Sequence, residues 1–262
     1  MKSIIIRLIT VFIWNSNKRK QFRSKYLEKK ILNNSVLFIK EDGSIENYSF
    51  EKYKYLDIVF SGINSIVKIY APVENNAKLR LEINGNNNVI NLIGIPFNSH
   101  IIINGDNFDL DFEKLKYANL IINGYLQTSY RRKISFGAGA TIQGLTIHCD
   151  ECEYMKFGEN FLCSYNVTIW GTDGHTILQN NIVQNIHKND KIEIGNSVWI
   201  GYNVTILPGV SLPENTIVGA CSVVTKKYNE TNIILAGNPA KIINNNITWN
   251  IQNPINVIKK EL

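Results

Sequence analysis

The sequence predicts an all-β chain wound as a parallel β-helix, a solenoid of short strands rather than a layered domain. From Ile192 it reads IEIGNS-VWIGYN-VTILPG-VSLPEN-TIVGAC-SVVTKK, and Ile194, Ile200, Ile206, Leu212, Val218 and Val224 recur six residues apart. Two residues before each of these stands Ile192, Val198, Val204, Val210, Thr216 or Ser222, all β-branched or small. Turn-tolerant residues, Ser197, Asn203, Gly209 and Asn215, follow three residues after the first four aliphatics. Neither a helical period nor simple strand alternation produces a strict six. Each hexapeptide therefore reads as a short strand with two inward side chains, followed by a bend. Three such strands close a coil of about eighteen residues, and stacked coils bury a continuous aliphatic core.

An earlier set shares the pattern, with Phe157, Cys163 and Ile169 in one column and Asn160 and Asn166 at the bends. Extending that phase lands on His175, Asn181, His187 and Glu193, which do not share a dry core without partners. The coil therefore ends at or just after Trp170, residues 176–191 form an excursion, and the repeat resumes with Ile194.

Upstream, GINSIVKI at Gly62, GNNNVINL at Gly85 and GDNFDLDF at Gly105 share a Gly-x-Asn start, at spacings of 23 and 20. These mark irregular coils over about 60–130. Residues 36–50, VLFIKEDGSIENYSF, read as a hairpin turning at Asp42-Gly43 that caps the open end of the stack. The expected organisation is a basic, apolar helical segment over 1–30, hairpin and irregular coils over 31–130, regular coils over 131–243, and a tail over 244–262.

Composition bounds the function. The 262 residues are 44% hydrophobic and 19% charged, as in a folded domain. The net charge of +6 is local: residues 1–30 hold nine Lys/Arg and one Glu, leaving nineteen Lys/Arg against twenty-one Asp/Glu elsewhere. A basic tip on a near-neutral body argues against nucleic acid as a partner. The apolar run Ile4 to Trp14 is interrupted by Arg7, is too short to span a bilayer, and leads into Lys18, Arg19, Lys20, Arg23 and Lys25. Two readings of it stand: shallow insertion into an anionic cytoplasmic leaflet, or packing on the protein or a neighbouring subunit. No small-residue cleavage site follows, so the expected location is the cytoplasm or the inner face of its membrane. Cys149-Asp-Glu-Cys152 has metal-like spacing beside His148, but no second ligand pair completes a zinc site. No metal is expected, and the cysteines read as reduced thiols.

The segments IEIGNSVWIGYNVTILPGVSLPENTIVGACSVVTKKY and ILAGNPAKII resemble those of the hexapeptide-repeat acetyltransferases, over about 155–243. TDGHTI followed by VWIG is most similar to the O-acetyltransferases of bacterial surface polysaccharides. The resemblance implies a left-handed β-helix working as a homotrimer, with acetyl-CoA bound between subunits and a glycan acceptor. It implies that His175 is the general base, a role that suits histidine as a residue type, whose reference pKa is near 6.5. Asp173 then orients the acceptor or the imidazole, or is a simple Asp-Gly turn residue. Backbone N–H groups near the break are expected to hold the oxyanion. The resemblance also implies that Gly201, Ala220 and Ser222 line the pantetheine track through backbone contacts, that Thr225 and Lys226 meet the nucleotide end, and that Pro239 packs on adenine. Arginines common after the Asn-Pro-Ala segment of relatives are replaced here by IINNN, leaving Lys226, Lys227 and Lys241 to compensate. Trp199 lies between two inward residues, so it points outward, toward a subunit, the acceptor or the pantetheine arm.

Three rival readings remain. An N-acetyltransferase acting on a nucleotide-linked amino sugar differs only in its acceptor. A non-catalytic solenoid platform has no need of TDGHT, VWIG and AGNPAK together. A metal-dependent hydratase of the carbonic-anhydrase type needs three histidines converging on zinc across an interface, commonly including a close pair, whereas the four histidines here are spaced 48, 27 and 12 apart.

Overall fold

The computed structural model describes residues 33–47, 53, 55–71, 78–125, 131–184 and 191–251. The helix expected over 1–30 lies outside them. All regular structure among the described residues is β, and no described helix is long and apolar enough to cross a membrane. The chain winds into a parallel solenoid of about seven turns.

One face stacks Ser35–Ile39, Ile66–Tyr70, Val89–Ile93, Phe108–Glu113, Arg132–Phe136, Tyr154–Phe157, Ile192–Ile194 and Ser211–Leu212, every neighbouring pair parallel. A second stacks Leu56–Phe60, Leu79–Asn84, Ser99–Gly105, Tyr117–Gly124 and Thr141–His148. At Thr141–His148 this face divides. Its first half continues through Leu162–Cys163, Trp199–Ile200 and Ile217–Val218, and its second through Val167–Trp170, Thr205–Ile206 and Val223–Val224. The division falls at the register shift between Ile142 and Leu145. Long two-strand coils thus give way to the three-strand coils that the hexapeptides announce.

The expected inward columns are observed. Ile194, Ile200, Ile206, Leu212, Val218 and Val224 are all buried, as are Phe157, Cys163 and Ile169. Each such side chain contributes about 1.5–3 kcal/mol of transfer free energy. Rings take over where the coils widen: Phe136 stacks on Phe157 at 4.2 Å and on Phe112 at 5.7 Å. The bends are left-handed where the sequence places Ser197, Asn203, Gly209 and Asn215, with φ of 52°, 56°, 74° and 56°.

The upstream motif has a structural cause. Gly62, Gly85, Gly105 and Gly124 stack at one corner, and a Cβ on any of the first three would overlap the carbonyl of the next. Asn64, Asn87 and Asn107, two residues on, take positive φ. The residue between them binds the neighbouring coil: Asn86 Oδ1 accepts Ile63 N–H at 3.0 Å, and Asp106 Oδ1 accepts Asn86 N–H at 2.7 Å. Both ends of the stack are closed by antiparallel strands. At the first, Ile45–Asn47 returns along Ser35–Ile39 through a turn in which Asp42 Oδ1 accepts Ser44 N–H at 2.9 Å. At the second, Ala240–Asn244 returns along Ile234–Gly237.

Gly85→Ala is expected to destabilise the solenoid by about 3 kcal/mol or more, because rigid backbone faces the new methyl. Gly43→Ala, at φ +78° with open space around it, should cost only about 1–2 kcal/mol. Urea unfolding midpoints of the two variants check the contrast.

Candidate active site at the interrupted coil

The eighteen-residue step of the regular coils is interrupted by a long insertion. Trp199 pairs with Ile217 eighteen residues on, but Leu162 pairs with Trp199 after 37, an excess of 19 residues. The inserted chain leaves the coil directly after Val167–Trp170. Gly171 N–H donates to His148 O at 2.6 Å, and a Cβ there would press on Met155 Cε at 2.5 Å and Cys152 Cβ at 2.6 Å. Thr172 is buried, and its hydroxyl donates to Glu151 Oε2 at 2.9 Å while accepting Gly174 N–H at 3.0 Å. Gly174 takes φ +73°, with Asp173 and His175 exposed on either side of it. The structure thus brings Asp173 and His175 onto one tight turn at the coil edge.

Beyond the turn the excursion forms a hairpin, Leu178–Gln179 against Ile182–Val183, through Asn180 and Asn181 at φ 51° and 62°. The sequence analysis identifies this stretch as an excursion from the coil and assigns it no strands. The signal was present, an Asn-Asn pair between apolar residues, the composition of a type I′ turn. Ile177, Leu178, Ile182 and Val183 are all exposed on this arm.

The coil beneath is locked in place. Arg132 is fully buried, with Nη1 donating to Asp106 O at 2.7 Å and Nη2 to Asp150 O at 3.2 Å, above the Phe108 ring. Its guanidinium therefore fixes the 149–151 turn that presents Glu151. Cys149 and Cys152 are buried and not disulfide-bonded, and burial pushes the Cys149 thiol far up. Among the described residues, no three His, Cys, Asp and Glu side chains are grouped to hold a metal ion.

An outward column leads to the same edge. Asn84, Asn104, Asn123, His148 and Trp170 occupy equivalent positions in successive coils. The amides form a ladder at 2.9 Å each, and the His148 ring stacks on Trp170 at 4.1 Å. In the sequence His148 stands out only as a neighbour of the Cys149/Cys152 pair, and it is the register that places it beside Trp170.

The residues expected to bind the donor fall in two groups. Gly201 and Ala220 meet on adjacent coils, and a Cβ on Gly201 would lie 2.8 Å from Ala220 N, so the backbone is bare there. Ser222 is buried, its Oγ accepting Gly237 N–H at 3.1 Å, which makes its side chain a brace for the Gly237 turn. Farther along, Lys226, Lys227 and Lys241 converge on a cleft of about 300 Å³ with Tyr228 and Glu230. Tyr228 OH donates to Ala240 O at 2.6 Å, tying the Asn-Pro-Ala turn to this cleft. Thr225 and Pro239 are exposed beside these residues in sequence. Trp199 points outward as expected, but its first cover comes from its own chain. Trp249 packs on it at 5.8 Å between ring centroids and donates Nε1–H to Ser197 O at 2.5 Å. The sequence reading, which treated 244–262 as a tail, missed this contact.

Burial holds the His148 imidazole below its ordinary pKa, with Asp150 pulling weakly the other way. The folded chain therefore binds this proton less readily than the unfolded chain. Stability from this group is present above about pH 6.5 and is lost as pH falls through the lowered folded value. Thermal melts from pH 8 to 5 should show that decline, and His148→Asn should flatten it.

Residues 191–226 match the family model described as bacterial transferase hexapeptide (six repeats). The galactoside O-acetyltransferase of Escherichia coli (strain K12) is 40% identical over 94 residues, covering 34% of this chain and 43% of that protein. The matches span about half of three curated relatives, 58%, 43% and 43% of their length. The solved polySia specific acetyltransferase NeuO is 25% identical, with a TM-score of 0.61 over 79% of this chain and 94% of that one. The polysialic acid O-acetyltransferase OatWY is 29% identical, with a TM-score of 0.50 over 75% and 92%. The resemblance to the hexapeptide-repeat acetyltransferases therefore holds in sequence across the regular coils and in fold across most of the chain.

Proposed function

We propose that the protein is an acetyl-CoA-dependent O-acetyltransferase that modifies a sugar hydroxyl of a bacterial surface polysaccharide, at the cytoplasmic side of the membrane. The observation that carries the acceptor class is the fold match to two polysialic acid acetyltransferases, each covered over more than nine-tenths of its length. In the direct ternary-complex reaction, neutral His175 takes the proton of the acceptor hydroxyl as its oxygen attacks the thioester carbonyl. Backbone N–H groups at the break hold the oxyanion. When the C–S bond breaks, the departing thiolate recovers that proton from the imidazolium. Asp173, one residue beyond the bonded Thr172, orients the imidazole or the acceptor.

The donor's residues fit the donor's chemistry. Gly201 and Ala220 offer bare backbone along which a narrow amide-bearing arm can run. Three lysines around one cleft suit the phosphates of the nucleotide end, replacing arginines common in relatives. Thr225 and Pro239 flank that end. A homotrimer of left-handed β-helices, with each site between subunits, completes the reading. The exposed apolar arm formed by Ile177, Leu178, Ile182 and Val183 would then be covered by a neighbouring copy.

The test is thiol release from acetyl-CoA with capsular and lipopolysaccharide glycans, including polysialic acid, and with nucleotide-linked amino sugars as a contrasting panel. Glycan-dependent release that falls about 100- to 10,000-fold in His175→Ala is expected. Undiminished release in that variant would remove His175 as the base. Release only with amino sugars would replace O- by N-acetylation. In a second test, Lys226→Glu and Lys241→Glu are each expected to raise the KM for acetyl-CoA with little change in kcat. The wild-type KM should rise with added salt.

A further inference from the structure

A base at the edge of a coil, on an exposed turn, must be held still to work. The bonds around this turn form a connected chain. Arg132, buried, donates to the carbonyl of Asp150 and fixes the turn that carries Glu151. Glu151 Oε2 accepts the Thr172 hydroxyl at 2.9 Å, and Thr172 Oγ1 accepts Gly174 N–H at 3.0 Å. Gly174 is the residue immediately before His175, and its φ of +73° makes it the pivot of the turn. Gly171 N–H on His148 O ties the same segment down at its root.

We propose that Thr172 and Glu151 are positioning residues for His175. Together they lock the 172–174 turn, so that the imidazole meets the acceptor hydroxyl in one orientation. This rests on the reading of His175 as the base. The chemistry requires these types at these places. A buried hydroxyl has one hydrogen to give and lone pairs to receive with, so Thr172 alone can bond a carboxylate and an amide at once. Valine keeps its shape and does neither. Glu151 reaches from a turn 21 residues earlier, across one coil step, and so registers the excursion against the solenoid. The arm beyond is exposed, and without this lock Gly174 lets the turn swing. Misplacing a reacting group by about 1 Å costs on the order of 100-fold in rate.

The experiment compares full-length Thr172→Val, Thr172→Ser, Glu151→Ala and Glu151→Gln, with His175→Ala as the reference. Thr172→Val and Glu151→Ala should each lower kcat about 10- to 100-fold with the KM for acetyl-CoA unchanged. Thr172→Ser and Glu151→Gln, which keep a hydroxyl and an acceptor, should restore it. The double variant should be no worse than either single one, because both cut the same chain. Thermal midpoints should shift by no more than about 4 °C, separating positioning from unfolding. Hydrogen exchange supplies a readout independent of turnover: the Gly174 amide should be protected in the wild type and in Thr172→Ser, and exposed in Thr172→Val. Full kcat in Thr172→Val and Glu151→Ala beside an inactive His175→Ala would overturn the positioning role alone. An unprotected Gly174 amide in the wild type would overturn it as well. Activity persisting in His175→Ala would instead sink the assignment of the base.

Discussion

Everything in this molecule depends on the hydrogen bonding of each coil to the next at a fixed register. A parallel ladder evenly spaced along the stack lets no coil choose its own phase. Every inward position must then be apolar or fully bonded, because a slip of one residue turns a core side chain to solvent. Ile194 to Val224 satisfy this by recurring every six residues, and Phe112, Phe136 and Phe157 satisfy it with rings where the coils are wider. The same ladder forces backbone against backbone at corners. That is why Gly62, Gly85 and Gly105 have no room for a side chain.

Against so strict a frame, an insertion of 19 residues in one coil is a local event with a definite place. The register resumes at Ile192 as though nothing had intervened, since Met155 pairs with Ile192 and Phe157 with Ile194. The frame carries the load, so the inserted turn is free to present polar groups at the coil edge. It is moored at its root by Gly171, Thr172 and the buried Arg132 acting on the turn below. Rigid scaffold and edge-mounted side chains are the arrangement in which an exposed histidine gains a fixed direction.

What was legible in the sequence follows from the same physics. The regular coils announced themselves because each inward position repeats one chemical demand, and their bends did so because αL geometry selects Asn, Gly and Ser. The break was visible as a column running onto His175 and His187. The upstream coils were readable only from the Gly-x-Asn corners, their strands having lost the hexapeptide count. Contacts that occur once carry no period. Trp249 reaches Ser197 across 52 residues, and Glu151 reaches Thr172 across 21, with nothing in either segment to announce the other. His148 looked like a histidine beside a cysteine pair, and only the pairing of Thr141–His148 with Val167–Trp170 sets it against an indole. Ser222 sits inward on its coil as the column predicts, and its hydroxyl braces the Gly237 turn.

On the proposed function, the solenoid supplies the frame and the interrupted coil supplies the chemistry. Deleting residues 172–190 removes the 19-residue excess and joins Gly171 to Lys191 at the eighteen-residue step of the coils that follow. Acetyl transfer and cooperative unfolding, measured together on that variant, separate the two roles. The shortened chain is expected to unfold cooperatively still and to transfer no acetyl group. Transfer that survived the deletion would contradict that division of roles, and so would a chain that no longer folded, since the excursion would then belong to the frame.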